Sequence, residues 1–208
     1  SLTIPASVMS VGTTAFNNCD ALTSIISEDS ETPLAWNGGY YEPLWDVNSN
    51  YTLYLGRNLT TEADQCYFRG ATNVVIGDKV TDINNYLFDG APKLVSVTIG
   101  DGVTAIGEYA FQNTGTDDSV EAQTISLGAN VETIGYRAFN GCTKLTTLDL
   151  GTKLTAIPTD MLVNCTALTP ITIPASVMSV GTTAFNNCDA LTAITIEDSE
   201  TPLAWTGG

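Results

Sequence analysis

Apolar residues recur along this chain in a unit of about 23 residues. Each unit opens with an apolar-x-Ile triplet, followed by apolar residues four and seven positions on, Ala-Phe at eleven and twelve, Cys at fifteen and Leu at eighteen. The next triplet closes the unit, most clearly between Leu150 and Ile173. Because the triplets alternate inward and outward positions, they have the period of a β-strand.

The spacing of the triplets predicts how the units are arranged. Their closing residues are separated by 23, 28, 21, 23, 28, 23, 23 and 23 residues, at Ile4, Ser27, Leu55, Ile76, Ile99, Leu127, Leu150, Ile173 and Ile196. A single unit cannot bury its apolar side alone, whereas stacked units share a continuous core. We therefore predict a solenoid whose triplets pair as parallel strands about 4.8 Å apart.

The chain also contains a longer repeat, which is made of several short units. Residues 1–39 and 170–208 are near-copies, 169 residues apart, that differ at six positions. Seven short units make up this long period. Both ends stop inside the array without a polar capping unit, so we expect a piece of a longer array.

The Ala-Phe-x-x-Cys run indicates what structure the chain forms on the side of the solenoid opposite the strands. It follows Gly in several units and is typical of a short turn of helix. All six phenylalanines occupy this slot or lie near it: Phe16, Phe68, Phe88, Phe111, Phe139 and Phe185. We expect them to form a buried aromatic spine.

The repeat resembles a known family. Ile4 to Leu22, and again Ile173 to Leu191, read Ile-Pro-x-x-Val-x-x-Val-Gly-x-x-Ala-Phe-x-x-Cys-x-x-Leu. This pattern resembles the BspA-like leucine-rich repeats, the 23-residue, treponemal-type class of bacterial surface proteins. The resemblance implies an extracellular protein on the bacterial cell surface. It also implies adhesion to host or bacterial surface and matrix proteins, and no enzyme chemistry. No binding residue transfers from the family.

The predicted fold class is therefore α/β. We expect a leucine-rich-repeat solenoid with a parallel β-sheet on one face and short helical turns and loops on the other. Residues 1–208 form a single domain of about eight coils, with insertions near 35–42 and 115–121. The second insertion is acidic and is expected to be a solvated loop.

Charge narrows the possible partners. Seven basic residues against 23 acidic ones give a net charge of −16. This charge repels phosphate backbones and anionic lipid, which disfavours nucleic-acid and membrane-surface binding. No apolar run is long enough to insert into a membrane as a helix.

The sequence offers little catalytic or metal-binding chemistry. It contains no His, which excludes Ser-His-Asp and Cys-His catalysis and every His metal site. No glycine-rich phosphate-binding motif occurs, and no cofactor is expected. The acidic turns at 28–31 and 197–200 suggest Ca²⁺ binding only weakly, because their spacing matches no known calcium loop.

The cysteines are expected to be structural. Cys19, Cys142, Cys165 and Cys188 follow the Phe slot by three residues, where Ala or Thr stands in other units. A slot that accepts these residues favours a small buried side chain, and free Cys behaves as a small hydrophobe. We therefore expect free thiols, with a disulfide between neighbouring coils as the alternative. Cys66 lies off this column.

Candidate ligand-binding residues come from the aromatics around the first insertion. They are Trp36, Tyr40, Tyr41, Trp45 and Tyr54. Recognition surfaces are enriched in Trp and Tyr, although Trp36 recurs as Trp205 and is favoured as a core residue beside Leu34. The other outward strand positions form a row of mainly short hydroxyl side chains: Val75, Thr98, Ser126, Asp149, Thr172 and Thr195.

Three functions fit these observations. The preferred one is a non-catalytic surface module for adhesion or protein–protein binding. The alternatives are carbohydrate binding through the aromatic insertion, with glycans as partners, and a passive surface spacer. The sequence does not indicate the oligomeric state.

Overall fold

The structure is a computed structural model that describes residues 1–37, 44, 50–61 and 68–206. These residues form a stack of coils around one apolar core. Each coil contributes backbone to walls of parallel strands on two sides and to a wall of turns on a third.

The first wall is built from the predicted triplets. Its strands are β1 Leu2–Ile4, β3 Ser24–Ser27, β5 Tyr51–Leu55, β7 Ala71–Ile76, β9 Ser96–Ile99, β11 Gln123–Ser126, β13 Leu145–Asp149, β15 Ile171–Ile173 and β17 Ile194–Ile196. The strands from β1 to β13 form one sheet, and β15 pairs with β17. Every pair is parallel, as predicted.

The second wall consists of shorter strands that follow the first apolar turn of each coil. They are β2 Ser10–Val11, β4 Leu34–Trp36, β6 Leu59–Thr61, β8 Asp82–Ile83, β10 Ala105–Ile106, β12 Thr133–Ile134, β14 Ala156–Ile157, β16 Ser179–Val180 and β18 Ala204–Trp205. They also pair in parallel, in three groups of three. The sequence pattern did not predict this wall.

The strand register confirms the predicted spacing of the units. Ile4 lies beside Ser27, Ser27 beside Leu55, and Leu55 beside Ile76. The long and short units therefore keep the same register, because their extra or missing residues lie between strands. A one-residue slip would turn every apolar side chain of a strand to the opposite face.

The predicted helical turns are wrong. The described residues contain no helix, and the Ala-Phe-x-x-Cys runs are successive turns. In six coils one residue just before this run and one near its end have positive φ, such as Tyr109 (57°) and Asn113 (54°). Left-handed residues interrupt a right-handed helix, so the fold class is a parallel β-solenoid with turns on the third side.

Hydrogen bonds between coils replace the missing helical ones. The amides of Tyr109, Phe111 and Asn113 donate to carbonyls of the next coil, at 3.0, 2.8 and 2.8 Å. The three corresponding amides of the preceding coil bond in the same way, as do those of Phe139 and Gly141 in the following coil. The left-handed residues therefore point alternate amides toward the next coil. As a result, the turn wall is also held together by a ladder of hydrogen bonds between coils.

The phenylalanine spine is confirmed. Phe68, Phe88, Phe111 and Phe139 are buried, with successive ring centroids 5.7, 5.1 and 5.5 Å apart. Phe16 and Phe185, in the end coils, are partly buried. Trp36 fills the position between Phe16 and Phe68, at 6.4 and 5.2 Å.

The two insertions are described to different extents. Ala35 and Trp36 belong to β4, where they pair with β2, so the first insertion does not begin at residue 35 as predicted. Residues 38–42 of the predicted 35–42 insertion lie outside the described residues. In the 115–121 insertion, Asp117 accepts hydrogen bonds from the amide and hydroxyl of Ser119, and Val120 is 3% exposed. This loop is therefore only partly solvated, with one of its apolar residues buried. The single-domain plan over 1–208 remains a prediction.

Candidate functional site

The sheet face is the outer surface of the first wall. Alternate strand residues point away from the core and form a row along the stack. The row is Thr3, Ile26, Tyr54, Val75, Thr98, Ser126, Asp149, Thr172 and Thr195. All are exposed except Tyr54, which is half-buried, and this confirms the predicted outward positions.

Three neighbouring members of this row form an apolar patch. Ile26, Tyr54 and Val75 are register partners on β3, β5 and β7. Ile26 is 37% exposed and Val75 is 44% exposed. We call these three residues the sheet-face patch. Hydroxyl side chains flank it along the row, so that a small apolar centre has a polar surround.

Tyr54 is held in one orientation within the patch. Its hydroxyl donates a hydrogen bond to Asp29 Oδ1 at 2.6 Å. This bond to a carboxylate, together with burial, raises the pKa of Tyr54 from 10.0 to about 12. The hydroxyl also lies over Gly77, where a Cβ would meet it at 2.6 Å. Gly77 therefore provides the space in which the ring lies.

Acidic side chains line the edge at which the strands end. Asp78 Oδ1 accepts the amide of Asp101 at 2.9 Å, and Asp101 Oδ1 accepts the amide of Ala129 at 2.8 Å. Each carboxylate thus bonds to the next coil. This ladder was not predicted from the sequence, although the spacing of 23 residues between Asp78 and Asp101 was its signal.

A groove opens in the first wall next to Pro170. Thr52 and Thr124 hold the corresponding position in other coils, and their amides donate to the preceding coil at 3.1 and 3.0 Å. Proline has no amide proton, so this bond cannot form and the sheet divides between β13 and β15. The resulting cavity of about 370 Å³ has Asp149, Thr172 and Glu197 among its lining residues.

The structure places the predicted binding residues in different surroundings. Trp36 is 1% exposed and lies in the spine, where a ligand cannot reach its ring. The core interpretation of Trp36 is therefore correct and its assignment as a ligand-binding residue is not. Tyr54 lies on the sheet face, while Tyr40, Tyr41 and Trp45 lie outside the described residues. The ligand-binding role of Tyr40, Tyr41 and Trp45 therefore stays a prediction.

A second aromatic surface lies on the turn wall. Tyr86 and Tyr109 stack at 4.6 Å, and Tyr109 meets Tyr136 edge-on at 5.4 Å. The guanidinium of Arg137 lies over the Tyr136 ring and donates to Asp160 Oδ2 at 2.8 Å. This row was not predicted from the sequence, because the left-handed positions that bring the rings together have no simple sequence pattern.

The turn-wall row is tied together by Asp160. Thr183, Arg137 and Tyr136 donate hydrogen bonds to its carboxylate, and these bonds hold the pKa of Asp160 below its usual value. The row crosses coils that are adjacent in the stack. The residues of this row stack on one another and form an ion pair, and none of them is a reactive group.

The described cysteines are free thiols. Cys142 and Cys165 are fully buried, Cys188 is half-buried and Cys19 is exposed. The thiols of Cys142 and Cys165 donate to carbonyls of Phe111 and Phe139 at 3.1 and 3.2 Å. The small-residue interpretation is confirmed for these two. Cys66 lies outside the described residues.

Neither a metal site nor a membrane span is found in the part of the chain that the structure describes. No cluster of three potential ligands that could hold a metal ion occurs there. No helix long and apolar enough to cross a membrane occurs there either.

Comparison with known proteins identifies the family. The family model for the BspA type leucine rich repeat region matches six copies, over residues 1–37 and 60–192. The chain belongs to the BspA-type leucine-rich repeat family. The comparison with curated proteins finds no match.

Three solved structures match this BspA-type chain at low sequence identity. A leucine-rich repeat protein from Eubacterium ventriosum has a TM-score of 0.56 and 17% identity, covering 93% of this chain and 71% of that one. A leucine rich cell surface protein from Faecalibacterium prausnitzii has a TM-score of 0.33 and 18% identity, covering 96% and 88%. A leucine-rich repeat protein from Bacteroides ovatus has a TM-score of 0.33 and 16% identity, covering 99% and 91%. The first of these supports the fold.

Proposed function

We propose that this BspA-type chain is a non-catalytic interaction module on a bacterial cell surface, which binds host or bacterial surface and matrix proteins. The family assignment supports an interaction role, and the Faecalibacterium neighbour is described as a cell surface protein. Stacked repeats present extended surfaces suited to such binding.

The observation that carries this proposal is the sheet-face patch. Ile26 and Val75 expose apolar surface on either side of Tyr54, on a rigid sheet. Protein-binding sites tend to have a buried apolar and aromatic centre inside a polar rim. The patch, with its hydroxyl surround and its acidic edge, has this composition.

The charge of the chain favours particular partners. With a net charge of −16, it attracts basic protein surfaces at long range and repels acidic ones. The carboxylates at the strand ends lie beside the patch, as Asp29 does with Tyr54. A basic surface of a matrix or bacterial surface protein is therefore the preferred partner.

Binding assays with matched variants test the proposal. The wild type, Val75→Asp and Met9→Asp would be measured against immobilised matrix proteins and bacterial surface proteins. Met9 is 55% exposed and lies next to β2 rather than on the sheet face, so it controls for adding a charge to an exposed apolar position. We expect Val75→Asp to weaken binding roughly tenfold or more, as for loss of a central contact, and Met9→Asp to retain it. Equal binding by all three would contradict a role for the patch.

Carbohydrate binding through the aromatic insertion is the second candidate, and a passive spacer is the third. The cluster of Tyr40, Tyr41 and Trp45 next to Trp36 favours the carbohydrate candidate. A glycan array with the wild type and Tyr40→Ala/Tyr41→Ala distinguishes it. Glycan binding that is lost in this variant and kept in Val75→Asp would support the carbohydrate candidate. An absence of both glycan and protein binding would favour the spacer.

A further inference from the structure

The groove beside Pro170 lies where the outward row of the sheet face changes its chemistry. Asp149 is the one charged member of that row among the described residues, and its neighbours in the row are Ser126 and Thr172. The described strands of the first wall pair everywhere except between β13 and β15. A single carboxylate and a single gap therefore occur at the same place on the sheet.

Two prolines account for the gap. Pro170 precedes β15 and Pro174 follows it. Gly77 and Gly100 hold the position of Pro174 in other coils, and their amides donate to the preceding coil at 2.8 Å. Because proline has no amide proton, β15 lacks at both ends a donor that would join it to β13. The carbonyl of Leu150, which follows β13, therefore receives no hydrogen bond from Pro174.

The groove is a local opening, and the coils stay in contact beside it. The amide and the hydroxyl of Thr169 both donate to the carbonyl of Thr146, at 3.1 and 2.7 Å. An added strand needs a spacing of about 4.8 Å on each side, so it could not enter without breaking these bonds. The cavity of about 370 Å³ lies at the small end of the range of ligand pockets, which suits a single side chain.

The lining of the groove is suited to a cation with an apolar stem. Asp149 Oδ1 accepts the amide of Gly151 at 2.9 Å, which fixes the carboxylate and leaves Oδ2 for a ligand. Thr147 and Thr172 add hydroxyl groups, and Pro170 adds an exposed apolar ring. None of the described residues that line the cavity is basic, and the ion pairs found in the described chain lie elsewhere. The charge of Asp149 is therefore not compensated within the groove.

The groove is an internal feature of the stack. Asp149 and Pro170 have coils on both sides of them. Glu197 also lines the cavity, and its Oε2 accepts the amide of Ala175 at 3.1 Å. Glu28 makes the same bond in the first copy, at 3.0 Å, where β5 pairs with β3. The orientation of this glutamate is therefore compatible with a further coil.

We propose that this groove binds a basic side chain of a protein partner, with the cationic group bonded to Asp149 and the aliphatic stem against Pro170. Lysine and arginine carry only donors at their heads and bury their methylene groups on apolar surfaces. Arginine fits better, because its planar fork can bond a carboxylate and neighbouring acceptors together. The site rests on the proposed function, which gives the partner a basic surface, and it names one contact of that surface.

Titration of capped tripeptides into ¹⁵N-labelled protein tests the groove. The peptides have glycine on either side of arginine, lysine or citrulline, and citrulline has nearly the shape of arginine without its charge. The amide shifts of Thr147, Gly151 and Thr172 report on the groove. Physiological ionic strength, where the screening length is about 8 Å, limits long-range attraction to the acidic protein. Methyl glucoside serves as a neutral sugar probe.

Three protein variants complete the test. Asp149→Asn removes the charge in the groove, and Asp118→Asn makes the same change on the exposed 115–121 insertion, away from the cavity lining. Pro170→Thr keeps Asp149 and restores an amide at the position where Thr124 donates to the preceding coil. Thermal unfolding of each variant shows whether it is folded.

We expect saturable shifts with the arginine peptide, several-fold weaker binding of the lysine peptide and no binding of the citrulline peptide. Asp149→Asn should weaken arginine binding roughly tenfold or more, because hydrogen bonds between charged groups are the strong ones. Asp118→Asn should bind as wild type does. Pro170→Thr should also weaken binding, because the restored amide draws the two strands together.

Several results would overturn the proposal. Equal binding of the arginine and citrulline peptides would exclude a cation site, and so would an absence of shifts at the highest soluble peptide concentration. Equal weakening by Asp149→Asn and Asp118→Asn would mean general attraction to an acidic surface. Unchanged binding by Pro170→Thr would mean that the groove is not the site. Shifts of these amides by methyl glucoside alone would assign the groove to carbohydrate.

Failure of this site can be distinguished from failure of the proposed function. Protein binding that is lost in Val75→Asp and kept in Asp149→Asn, without shifts from the arginine peptide, would remove the groove and leave the proposed function in place. Binding of the arginine peptide in the groove, without binding of any immobilised protein, would contradict the proposed function and the protein partner of this site together.

Discussion

The rings of Phe111 and Phe139 stack with centroids 5.5 Å apart and planes 4° from parallel, although 28 residues separate them in the sequence. The extra residues of that unit lie in the 115–121 insertion, outside the spine. Two coils of different length therefore place the same side chain at the same point, and the core continues through both.

Truncation of the spine gives the first prediction. Phe139 is fully buried, and Phe139→Ala should lower the free energy of unfolding by about 3–5 kcal/mol, through lost burial and an unfilled cavity. Phe185 is only partly buried in this structure, so Phe185→Ala should cost less than half as much. Urea denaturation of both variants measures the difference, and equal losses would contradict a continuous spine.

The buried arginine gives the second prediction. Arg57 has no exposed surface and bonds Ser27 and the carbonyls of Pro5 and Ala6. Arg57→Ala should cost about 2–4 kcal/mol, because it leaves buried acceptors unpaired and a cavity in their place. Hydrogen exchange should show the loss of protection concentrated in β1 to β6, and uniform loss along the stack would argue against this local role.

The tyrosine on the sheet face gives the third prediction. Because its hydroxyl donates to Asp29, Tyr54 should ionise at a pKa of about 12, whereas an ordinary tyrosine ionises at 10.0. Asp29→Asn should return the pKa of Tyr54 toward 10.0. Ultraviolet titration of wild type, Asp29→Asn and Tyr54→Phe isolates this group by difference.

The same shift predicts how stability depends on pH. A tyrosine whose pKa is higher in the folded than in the unfolded protein stabilises the fold fully below pH 10.0, the unfolded value. This contribution is lost as pH rises from about 10 toward about 12. Tyr54→Phe should therefore unfold with a weaker pH dependence than wild type in this range, and an unchanged dependence would argue against the hydrogen bond.

The left-handed turn positions give the fourth prediction. Asn113 has a φ of 54°, and Gly90 and Gly141 hold the same position in the neighbouring coils. Asn113→Gly should be tolerated, whereas Asn113→Val should cost about 1–2 kcal/mol, since a β-branched residue is strained at positive φ. Thermal unfolding of the pair checks this, and similar stabilities would mean that the turn adopts another conformation.

The stacking and strand register could be predicted from the sequence because they repeat. The triplets alternate over nine occurrences, and the strand register confirms where the two long units begin and end. The burial of Trp36 followed from its recurrence as Trp205. Repeated apolar positions constrain a fold strongly, because an error in register would expose all of them at once.

The turn wall and the binding surface could not be predicted in the same way. The residue types at Tyr109 and Asn113 do not reveal that their backbone is left-handed, since both types also occur in helices. The sheet-face patch depends on Ile26, Tyr54 and Val75 being register partners. Tyr54 and Val75 were predicted in the outward row, whereas the place of Ile26 beside them and the hydrogen bond from Tyr54 to Asp29 are seen only in the structure.

The most direct test of the solenoid is nuclear Overhauser spectroscopy on a sample labelled at phenylalanine rings and backbone amides. The stack predicts ring contacts between Phe88 and Phe111 and between Phe111 and Phe139, together with parallel-strand contacts between β7 and β9. It predicts no contact between Phe88 and Phe139. Rings dispersed among separate cores, or antiparallel contacts between these strands, would contradict the solenoid and the surfaces derived from it.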